Sequence, residues 1–327
     1  LRTMRSYMTI LIKYFISFFT TAIISFALIK KPLTVSIPNN RSLHNKQIPS
    51  SGGIAILFGL LIFIGEFSNN IMYALSFAAI IGFLDDKYSL SKMVRFLSQF
   101  IIALLIVSAH FEYSFITIFW IIFIIYFVNM YNFMDGIDSL ASLQSIFFIS
   151  SLALLYGFIP SIIIPIIAFL FFNTSPAKIF LGNSGSYLLG ALLSSYIFNM
   201  GYDFLFINEL LIYLILLTIF FADATYTLVR RFLYKYIQQN STFLEAIHYV
   251  TEAHCTHNYQ ILAKKYNSHV KVVLMLMTYN IFWCFPLAYL VFDGNQDIGT
   301  SIIFFVLSYI PYIFWCYKNG SGLPREL

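Results

Sequence analysis

Long apolar runs separated by short polar segments make up most of the chain. These runs predict membrane spans, and the spans must be α-helices, because a helix satisfies its own backbone hydrogen bonds in lipid. Several runs are shorter than the roughly 20 residues that a spanning helix needs. The predicted fold class is an all-α polytopic membrane protein with about 10–11 transmembrane helices, and residues 1–327 form one integral membrane domain. The runs lie near residues 8–29, 52–68, 70–84, 96–110, 113–128, 140–157, 158–173, 186–202, 205–223, 271–292 and 299–317.

Composition supports the membrane class. The chain is 60% hydrophobic and only 10% charged, whereas soluble domains carry about 25% charged residues. The net charge of +5 does not indicate nucleic acid, because the basic residues lie between apolar runs. Cys255, Cys284 and Cys316 show neither a disulfide framework nor metal-ligand spacing. The first run lacks a small-residue cleavage site, so no cleavable signal peptide is expected, and Met4 and Met8 are alternative starts.

The distribution of basic residues predicts an orientation. The loops after the odd-numbered runs carry 16 of the 19 Lys and Arg residues, and the other three are Arg2, Arg5 and Lys13. The opposite loops carry acidic residues, among them Glu112 and Asp293. Because cytoplasmic loops are enriched in Lys and Arg, the basic side is predicted to be cytoplasmic. The three N-terminal positive charges argue weakly against this orientation.

Two carboxylates and two carboxamides lie between the runs at 113–128 and 140–157, in the stretch Asn-Met-Tyr-Asn-Phe-Met-Asp-Gly-Ile-Asp at residues 129–138. If this stretch is helical, Asp135 and Asp138 share a face, as do Asn129 and Asn132. Oxygen-rich sites of this kind suit a hard cation such as Mg²⁺. The alternative is a polar cap that ends a helix, but a cap needs one such residue and not four.

Two further polar clusters fall on the predicted cytoplasmic side. The first covers residues 37–53 and ends in Gly52-Gly53, a pair that permits close helix approach, although alone it reads more readily as a plain loop. The second contains Asp85-Asp86 with basic neighbours. Adjacent carboxylates at a helix end can bind a divalent ion or hold a base of raised pKa. The alternative is a solvated loop with incidental ion pairs.

The remaining two clusters suit anionic ligands. Gly182, Ser184 and Gly185 precede an apolar run and can offer backbone N–H groups to an anion at a helix N-terminus, although a flexible turn fits the glycines alone. The longest polar loop, about 230–270, carries His254 and His257, three residues apart. A shared helix face and phosphate or sugar contacts suit this pair better than zinc, which would require further ligands. The alternative is surface placement on an interfacial helix.

Taken in order, these clusters resemble one family. The order is Pro-Asn-x-Arg-Ser-x-His, Gly-Gly, Asp-Asp, Asn-x-x-Asn-x-x-Asp-Gly-x-Asp, Pro-Ala-x-Ile-Phe-x-Gly-x-x-Gly-Ser and a histidine-rich loop. This looks like the polyprenyl-phosphate N-acetylhexosamine-1-phosphate transferases, relatives of the phospho-MurNAc-pentapeptide translocase. The resemblance implies a Mg²⁺-dependent enzyme, with Mn²⁺ as the alternative ion. It would transfer an N-acetylated sugar-1-phosphate from a UDP-sugar to undecaprenyl phosphate, at the cytoplasmic face of the bacterial inner membrane.

The resemblance also carries over residue roles. Asp85 and Asp86 match the family's adjacent aspartates, which are proposed to act in lipid-phosphate activation or metal binding. Asn132 and Asp135 match positions of the nucleotide and metal site. The predicted catalytic residues are Asp85, Asp86 and Asp135, and the predicted metal ligands are Asp135 and Asn183. The predicted substrate contacts are Asn132, Asp138, Lys46, Gly182, Ser184, Gly185, Arg230, Arg231, His254 and His257.

Two positions depart from the family pattern. Asn183 stands where the family usually has Asp, so the predicted metal site loses one negative charge. This chain is then either an active variant or a binding homologue that the asparagine disables, unless Asn183 only caps a helix beginning near Ser186. Ser139 stands where the family usually has glycine.

The loop pattern Ala-His-Cys-Thr-His-x-Tyr-Gln is similar to that of O-antigen-initiating relatives that use 6-deoxy-N-acetylhexosamines. The expected role is therefore the first step of O-antigen or similar polysaccharide synthesis. The competing class is an ion-coupled transporter, which would place ionisable groups near the middle of a span. A homodimer is one open alternative for the oligomeric state.

Overall fold

The computed structural model describes residues 2–38, 46–109, 115–197, 206–252, 254–293 and 297–324. Residues 39–45 of the first polar cluster and Glu112 lie outside this description. The described residues are mostly helical and contain only one pair of two-residue strands, which confirms the all-α prediction. The chain divides into two compact units, Leu1–Ile37 with Lys46–Gly201 and Pro38–Asn45 with Tyr202–Leu327. One domain over residues 1–327 stays a prediction.

The first unit contains eight helices and one short antiparallel strand pair within the described ranges. A 3-10 segment, Leu61–Glu66, extends the second helix. The strands are β1 (Val35–Ser36) and β2 (Ile48–Pro49), with Val35 paired to Pro49. The helices are α1 (Arg2–Lys30), α2 (Gly52–Leu60), α3 (Asn69–Tyr88), α4 (Lys92–Ser108), α5 (Phe115–Phe133), α6 (Leu140–Tyr156), α7 (Ile163–Asn173) and α8 (Gly182–Tyr196).

The second unit is also helical in its described part. A π-helical turn, Tyr234–Gln238, follows the second of its helices, and another, Asn280–Cys284, links the fifth to the sixth. The helices are α9 (Phe206–Leu216), α10 (Thr218–Leu233), α11 (Phe243–Val250), α12 (Asn258–Tyr266), α13 (His269–Tyr279), α14 (Phe285–Asp293) and α15 (Ile298–Lys318).

The chain is a multi-pass membrane protein. Four stretches of the described chain, Met8–Lys30, Ile116–Phe133, His269–Asp293 and Ile298–Lys318, are helices long and apolar enough to cross a membrane. The other predicted runs coincide with shorter or more polar helices, so the count of ten to eleven spans stays a prediction.

The predicted run at 205–223 differs from the structure. The chain bends by 81° between Leu216 and Thr218, and α10 then continues to Leu233. The Thr218 hydroxyl donates to the Ile215 carbonyl at 2.7 Å, a local bond that competes with continuation of the helix. Arg230 and Arg231 therefore lie on a helix and not in the polar loop.

Helix α8 is surrounded by α2, α3 and α5 in the first unit, and glycines allow the close approach. A Cβ atom on Gly53 would lie 2.1 Å from the Gly185 nitrogen, and one on Gly82 would lie 2.3 Å from the Asn183 carbonyl oxygen. The reading of Gly52-Gly53 as a plain loop is wrong, because both residues begin α2. This packing brings the end of α3 against the start of α8.

Candidate functional site

Asp85 lies in the last turn of α3, and its carboxylate is saturated by protein donors. The side chain is fully buried, so the alternative of a solvated loop is wrong here. Arg95 on α4 donates from Nε and from Nη2, both at 2.9 Å from Oδ1. The Leu90 N–H donates to Oδ1 at 2.9 Å, and Tyr187 and Asn183 donate to Oδ2 at 3.1 Å. Such a satisfied network fixes the geometry of the helices that supply it.

Asp86 accepts the first free N–H groups of α8. Its Oδ1 accepts from the Asn183 nitrogen at 3.0 Å and its Oδ2 from the Ser184 nitrogen at 3.3 Å. These N–H groups were predicted to meet an anion, and here the anion is a side chain of the protein. Burial raises the pKa of the Asp86 carboxyl to about 7, although the two hydrogen bonds act in the opposite direction.

Gly182 is the residue that permits this contact. It adopts a left-handed conformation with φ of +70°, and a Cβ there would lie 1.9 Å from the Ser50 oxygen and 2.6 Å from Asp86 Oδ2. Helix α8 begins at Gly182 and not near Ser186. The alternative that Asn183 caps this helix is wrong, because the Asp86 carboxylate accepts the N–H groups.

The Asn183 side chain links two other residues of the cluster. Its Oδ1 accepts from Asn132 Nδ2 at 3.1 Å, and its Nδ2 donates to Asp85 Oδ2 at 3.1 Å. The oxygen of this amide faces a donor on Asn132, and its nitrogen faces an acceptor on Asp85. An ionised aspartate has no donor to offer Asp85, so without a cation asparagine fits this position better.

Asp135 differs from the other carboxylates because its side chain makes no hydrogen bond or ion pair to any described residue. It follows the end of α5 at Phe133. The expectation that Asp135 and Asp138 share a helix face is therefore wrong, since both lie in the turn before α6. Burial raises the pKa of Asp135 well above its usual range, and the negative charges of Asp86 and Asp138 raise it further.

Asp138 and Ser139 attach this turn to the loop before α8. Asp138 Oδ2 accepts from the Ala177 nitrogen at 3.2 Å, and the Ser139 nitrogen donates to Asn173 Oδ1 at 3.0 Å. Ser139 has φ of +62°, a left-handed conformation that glycine adopts without steric cost. The backbone at this position thus explains why glycine would suit it.

The residues present fit a magnesium ion that shares its coordination with a substrate. No group of three or more His, Cys, Asp or Glu side chains in the described ranges is arranged to hold a metal alone. Mg²⁺ is commonly bound by one or two carboxylates together with substrate phosphates and water. Asp135 would supply a carboxylate that receives no hydrogen bond from the described residues, and the Asn183 amide would supply a neutral oxygen.

The second unit holds the predicted basic contacts on α10. Arg230 donates to Tyr226 Oη at 2.9 Å, and its guanidinium lies 5.5 Å from the Tyr317 ring centre. Arg231 is buried, with 3% of its surface exposed, and donates to the Tyr249 carbonyl at 2.6 Å. Both arginines are therefore engaged by the protein itself. In the first unit, Lys46 is exposed and lies just before β2.

His254 and His257 precede α12 and do not share a helix face. Their ring centres are nevertheless 4.9 Å apart. His257 is buried, so surface placement is wrong for it, whereas His254 is partly exposed. The two histidines are thus brought together by a loop.

Asp223 was missed by the sequence reading, although it organises this loop. It is fully buried in α10, and His257 Nδ1 lies 3.2 Å from its Oδ1. The sequence signal that could have identified Asp223 is its place as a single acidic residue at the end of the apolar run 205–223. A charge within an apolar helix is costly and therefore needs partners.

Comparison with known proteins assigns the chain to a family. The family model for glycosyl transferase family 4 matches residues 68–201, which include the whole Asp85–Asn183 cluster. A probable undecaprenyl-phosphate N-acetylglucosaminyl 1-phosphate transferase of Bacillus subtilis is 29% identical over 262 residues, 69% of this chain and 73% of the relative.

Two further relatives agree with this assignment. An undecaprenyl-phosphate alpha-N-acetylglucosaminyl 1-phosphate transferase of Thermotoga maritima is 32% identical over 204 residues, 59% of this chain and 67% of the relative. A phospho-N-acetylmuramoyl-pentapeptide-transferase of Fervidobacterium nodosum is 27% identical over 187 residues, 47% of this chain and 60% of the relative. The predicted family is confirmed, and the chain belongs to glycosyl transferase family 4.

Proposed function

We propose that this chain transfers an N-acetylated sugar-1-phosphate from a UDP-sugar to undecaprenyl phosphate and releases UMP. The relatives named above carry out reactions of this type by their names. The observation that carries the proposal is the Asp135 carboxylate, which lacks a protein partner among the described residues and lies beside the charges of Asp86 and Asp138. In its ionised form, such a carboxylate needs a cation or a cation-bound substrate to compensate it.

The proposed reaction is a displacement at phosphorus. An oxygen of the lipid phosphate attacks the β-phosphorus of the UDP-sugar, and the bond from that phosphorus to the bridging oxygen breaks. UMP leaves with the bridging oxygen, and the products are UMP and a lipid-linked sugar diphosphate. The lipid phosphate is already ionised, so the step needs positioning and charge neutralisation more than a strong base.

The residues divide into two roles in this proposal. Asp85 and Asp86 hold Arg95, Asn183 and the start of α8 in place through the bonds described above. Asp135, with the amide oxygen of Asn183, would hold Mg²⁺. When bound, the ion would neutralise charge on the diphosphate oxygens. Mn²⁺, which prefers similar oxygen ligands, is the alternative ion.

The finer assignment concerns the sugar and the pathway. The loop pattern around His254 and His257 favours a 6-deoxy-N-acetylhexosamine as the sugar. The pathway would then be the initiation of O-antigen or a similar cell-surface polysaccharide. A comparison of UDP-N-acetylglucosamine with a UDP-6-deoxy-N-acetylhexosamine tests this, and a preference for the 6-hydroxylated sugar would contradict it.

The function is tested in membranes that contain the full chain. With undecaprenyl phosphate and a UDP-sugar, we expect UMP and a lipid-linked sugar that disappear when a chelator removes divalent ions. Binding of UDP-sugar without UMP release would indicate a homologue disabled by Asn183. Ion-coupled movement of solute into vesicles, without UMP release, would indicate a transporter.

The proposed orientation places the active site at the cytoplasmic face, and native Cys255 tests it. The predicted order of spans puts 16 of the 19 Lys and Arg residues in the loops of one side, the side expected to be cytoplasmic. In intact cells, an impermeant thiol reagent should label an Asp293→Cys variant and should leave Cys255 unlabelled. The control is disrupted cells, in which Cys255 should react. Labelling of Cys255 in intact cells would reverse the orientation.

A further inference from the structure

The segment between α11 and α12, described at residues 251–252 and 254–257, is attached to α10 at both of its ends. We call this segment the histidine loop, because it carries His254 and His257. Its two attachment points on α10 are Asp223 and Arg231, which are eight residues apart and so about 12 Å apart along the helix axis. We call this pair of residues the α10 clamp.

Asp223 attaches the end of the histidine loop that leads into α12. The carboxylate meets the N-terminus of that helix, where backbone N–H groups have no partner within the helix and favour a negative charge. Because a carboxylate only accepts, its contact with His257 places the hydrogen of that imidazole on Nδ1. The donors around Asp223 are His257 Nδ1 at 3.2 Å, the Asn258 nitrogen at 2.9 Å, the Tyr259 nitrogen at 3.0 Å, Tyr312 Oη at 2.9 Å and Thr227 Oγ1 at 3.3 Å.

Arg231 attaches the other end, where α11 stops. Its Nη2 donates to the Tyr249 carbonyl at 2.6 Å, and the guanidinium lies 4.2 Å from the centre of the Tyr249 ring. The carbonyl groups in the last turn of a helix favour a cation. Each member of the α10 clamp thus carries the charge that suits the helix end it meets.

The turn after α15 also supports the histidine loop. The Gly322 nitrogen donates to the Thr256 carbonyl at 3.0 Å, and Asn319 Nδ2 donates to Asn258 Oδ1 at 2.8 Å. His257 is thereby held on Asp223, and its ring lies 4.9 Å from the ring of His254. The partly exposed His254 is the member of the pair that a soluble ligand can reach.

We propose that Asp223 and Arg231 are positioning residues, which hold His254 and His257 of the histidine loop in the arrangement with which this loop takes part in binding the sugar nucleotide. The proposal rests on the proposed function for the identity of the ligand. The attachment of the loop is a separate matter, and a measurement that needs no turnover tests it.

The first test uses native Cys255, which lies in the histidine loop and is partly exposed, whereas Cys284 and Cys316 are buried. In the detergent-solubilised full chain, Asp223→Asn turns an acceptor into a donor that faces N–H groups, and Arg231→Met removes the bond to Tyr249. Each change should raise the rate of thiol labelling at Cys255 by about tenfold or more, as expected when local opening becomes easier. Cys284 and Cys316 should stay unlabelled.

Asp297→Asn is the matched control, because Asp297 is an exposed residue at the start of α15. It should leave all three labelling rates unchanged. An unchanged Cys255 rate in both clamp variants would overturn the proposal. If Asp223→Asn exposes all three cysteines and therefore unfolds, Arg231→Met decides, since it leaves the Asp223 contacts in place.

The second test separates positioning from a purely structural role. With the transfer assay, Asp223→Asn and Arg231→Met should raise the apparent KM for the UDP-sugar about tenfold and should change the KM for undecaprenyl phosphate by less than about twofold. Equal loss with both substrates, or an unchanged KM for the UDP-sugar with faster Cys255 labelling, would overturn the positioning role. If the unaltered chain shows no transfer, the proposed function has failed, and the labelling result still decides whether the clamp exists.

Discussion

Replacing Asp135 by alanine should lower the rate of sugar-1-phosphate transfer by at least about a hundredfold, because an interaction that stabilises developing phosphoryl charge is commonly worth that much. Asp135 is the only one of Asp85, Asp86 and Asp135 whose carboxylate is left without a donor from the described part of the protein. Its removal therefore breaks no hydrogen bond within the described ranges of the chain, and the variant should remain folded. Single-turnover release of UMP at saturating Mg²⁺ measures the effect.

Two further variants sharpen this prediction. Asp135→Asn keeps the shape of the side chain and removes its charge, so it should lose activity to a similar degree. Asp293→Ala, which removes an exposed carboxylate at the end of α14, should retain full activity. Near-normal turnover by Asp135→Ala at saturating Mg²⁺ would remove Asp135 from the site.

Replacing Asn183 by aspartate should lower the Mg²⁺ concentration required for UMP release. The substitution puts a carboxylate oxygen where Nδ2 now donates to Asp85 at 3.1 Å, and two carboxylates this close repel each other unless a cation or a proton intervenes. A divalent ion would gain a second negatively charged neighbour, on which the affinity of hard cations depends strongly. If asparagine has silenced the chain, the same change should bring activity from none to a measurable rate.

The cation dependence of stability gives an independent measurement. Without divalent ions, the repulsion between Asp85 and the new carboxylate should lower the thermal unfolding midpoint of Asn183→Asp below that of the unaltered chain, and Mg²⁺ should restore it. Asn70→Asp is the matched control, because Asn70 lies at the opposite end of α3 and bonds to Ser108. If UMP release depends on Mg²⁺ concentration in the same way for Asn183→Asp and for the unaltered chain, the assignment of this residue to the metal site is contradicted.

The ordered polar clusters predicted the residues of the site better than their conformations. Asp85, Asp86, Asn132, Asp135 and Asn183 do come together, and the spacing of apolar runs located a helix for every predicted run. The prediction that Asp135 and Asp138 share a helix face was wrong, because the spacing of residues does not distinguish the end of a helix from the turn that follows it. The prediction of one continuous span at 205–223 was wrong, because the hydrophobic pattern does not show that the helix bends at Leu217.

The roles of the charged side chains depended on partners that are distant in sequence. Arg95 was visible as a basic neighbour, but only the packing of α4 on α3 makes it the partner of Asp85. Asp86 was predicted to act as a metal ligand or a base, and only the packing of α8 on α3 shows that its carboxylate also accepts the Asn183 and Ser184 N–H groups. The sequence around an aspartate does not show whether its carboxylate is free within the described ranges, as in Asp135, or caps another helix, as in Asp86.

The sequence by itself determined the membrane class, the helical fold and most of the polar residues at the site, because lipid forces apolar runs into helices and makes each remaining charge costly. Only the tertiary structure decided which charges are compensated. Asp223 meets the start of α12 across more than thirty residues, and Asp135 is left without a donor from the described chain. Compensation depends on distances of about 3 Å between groups on different helices, and these are set by packing and not by local sequence.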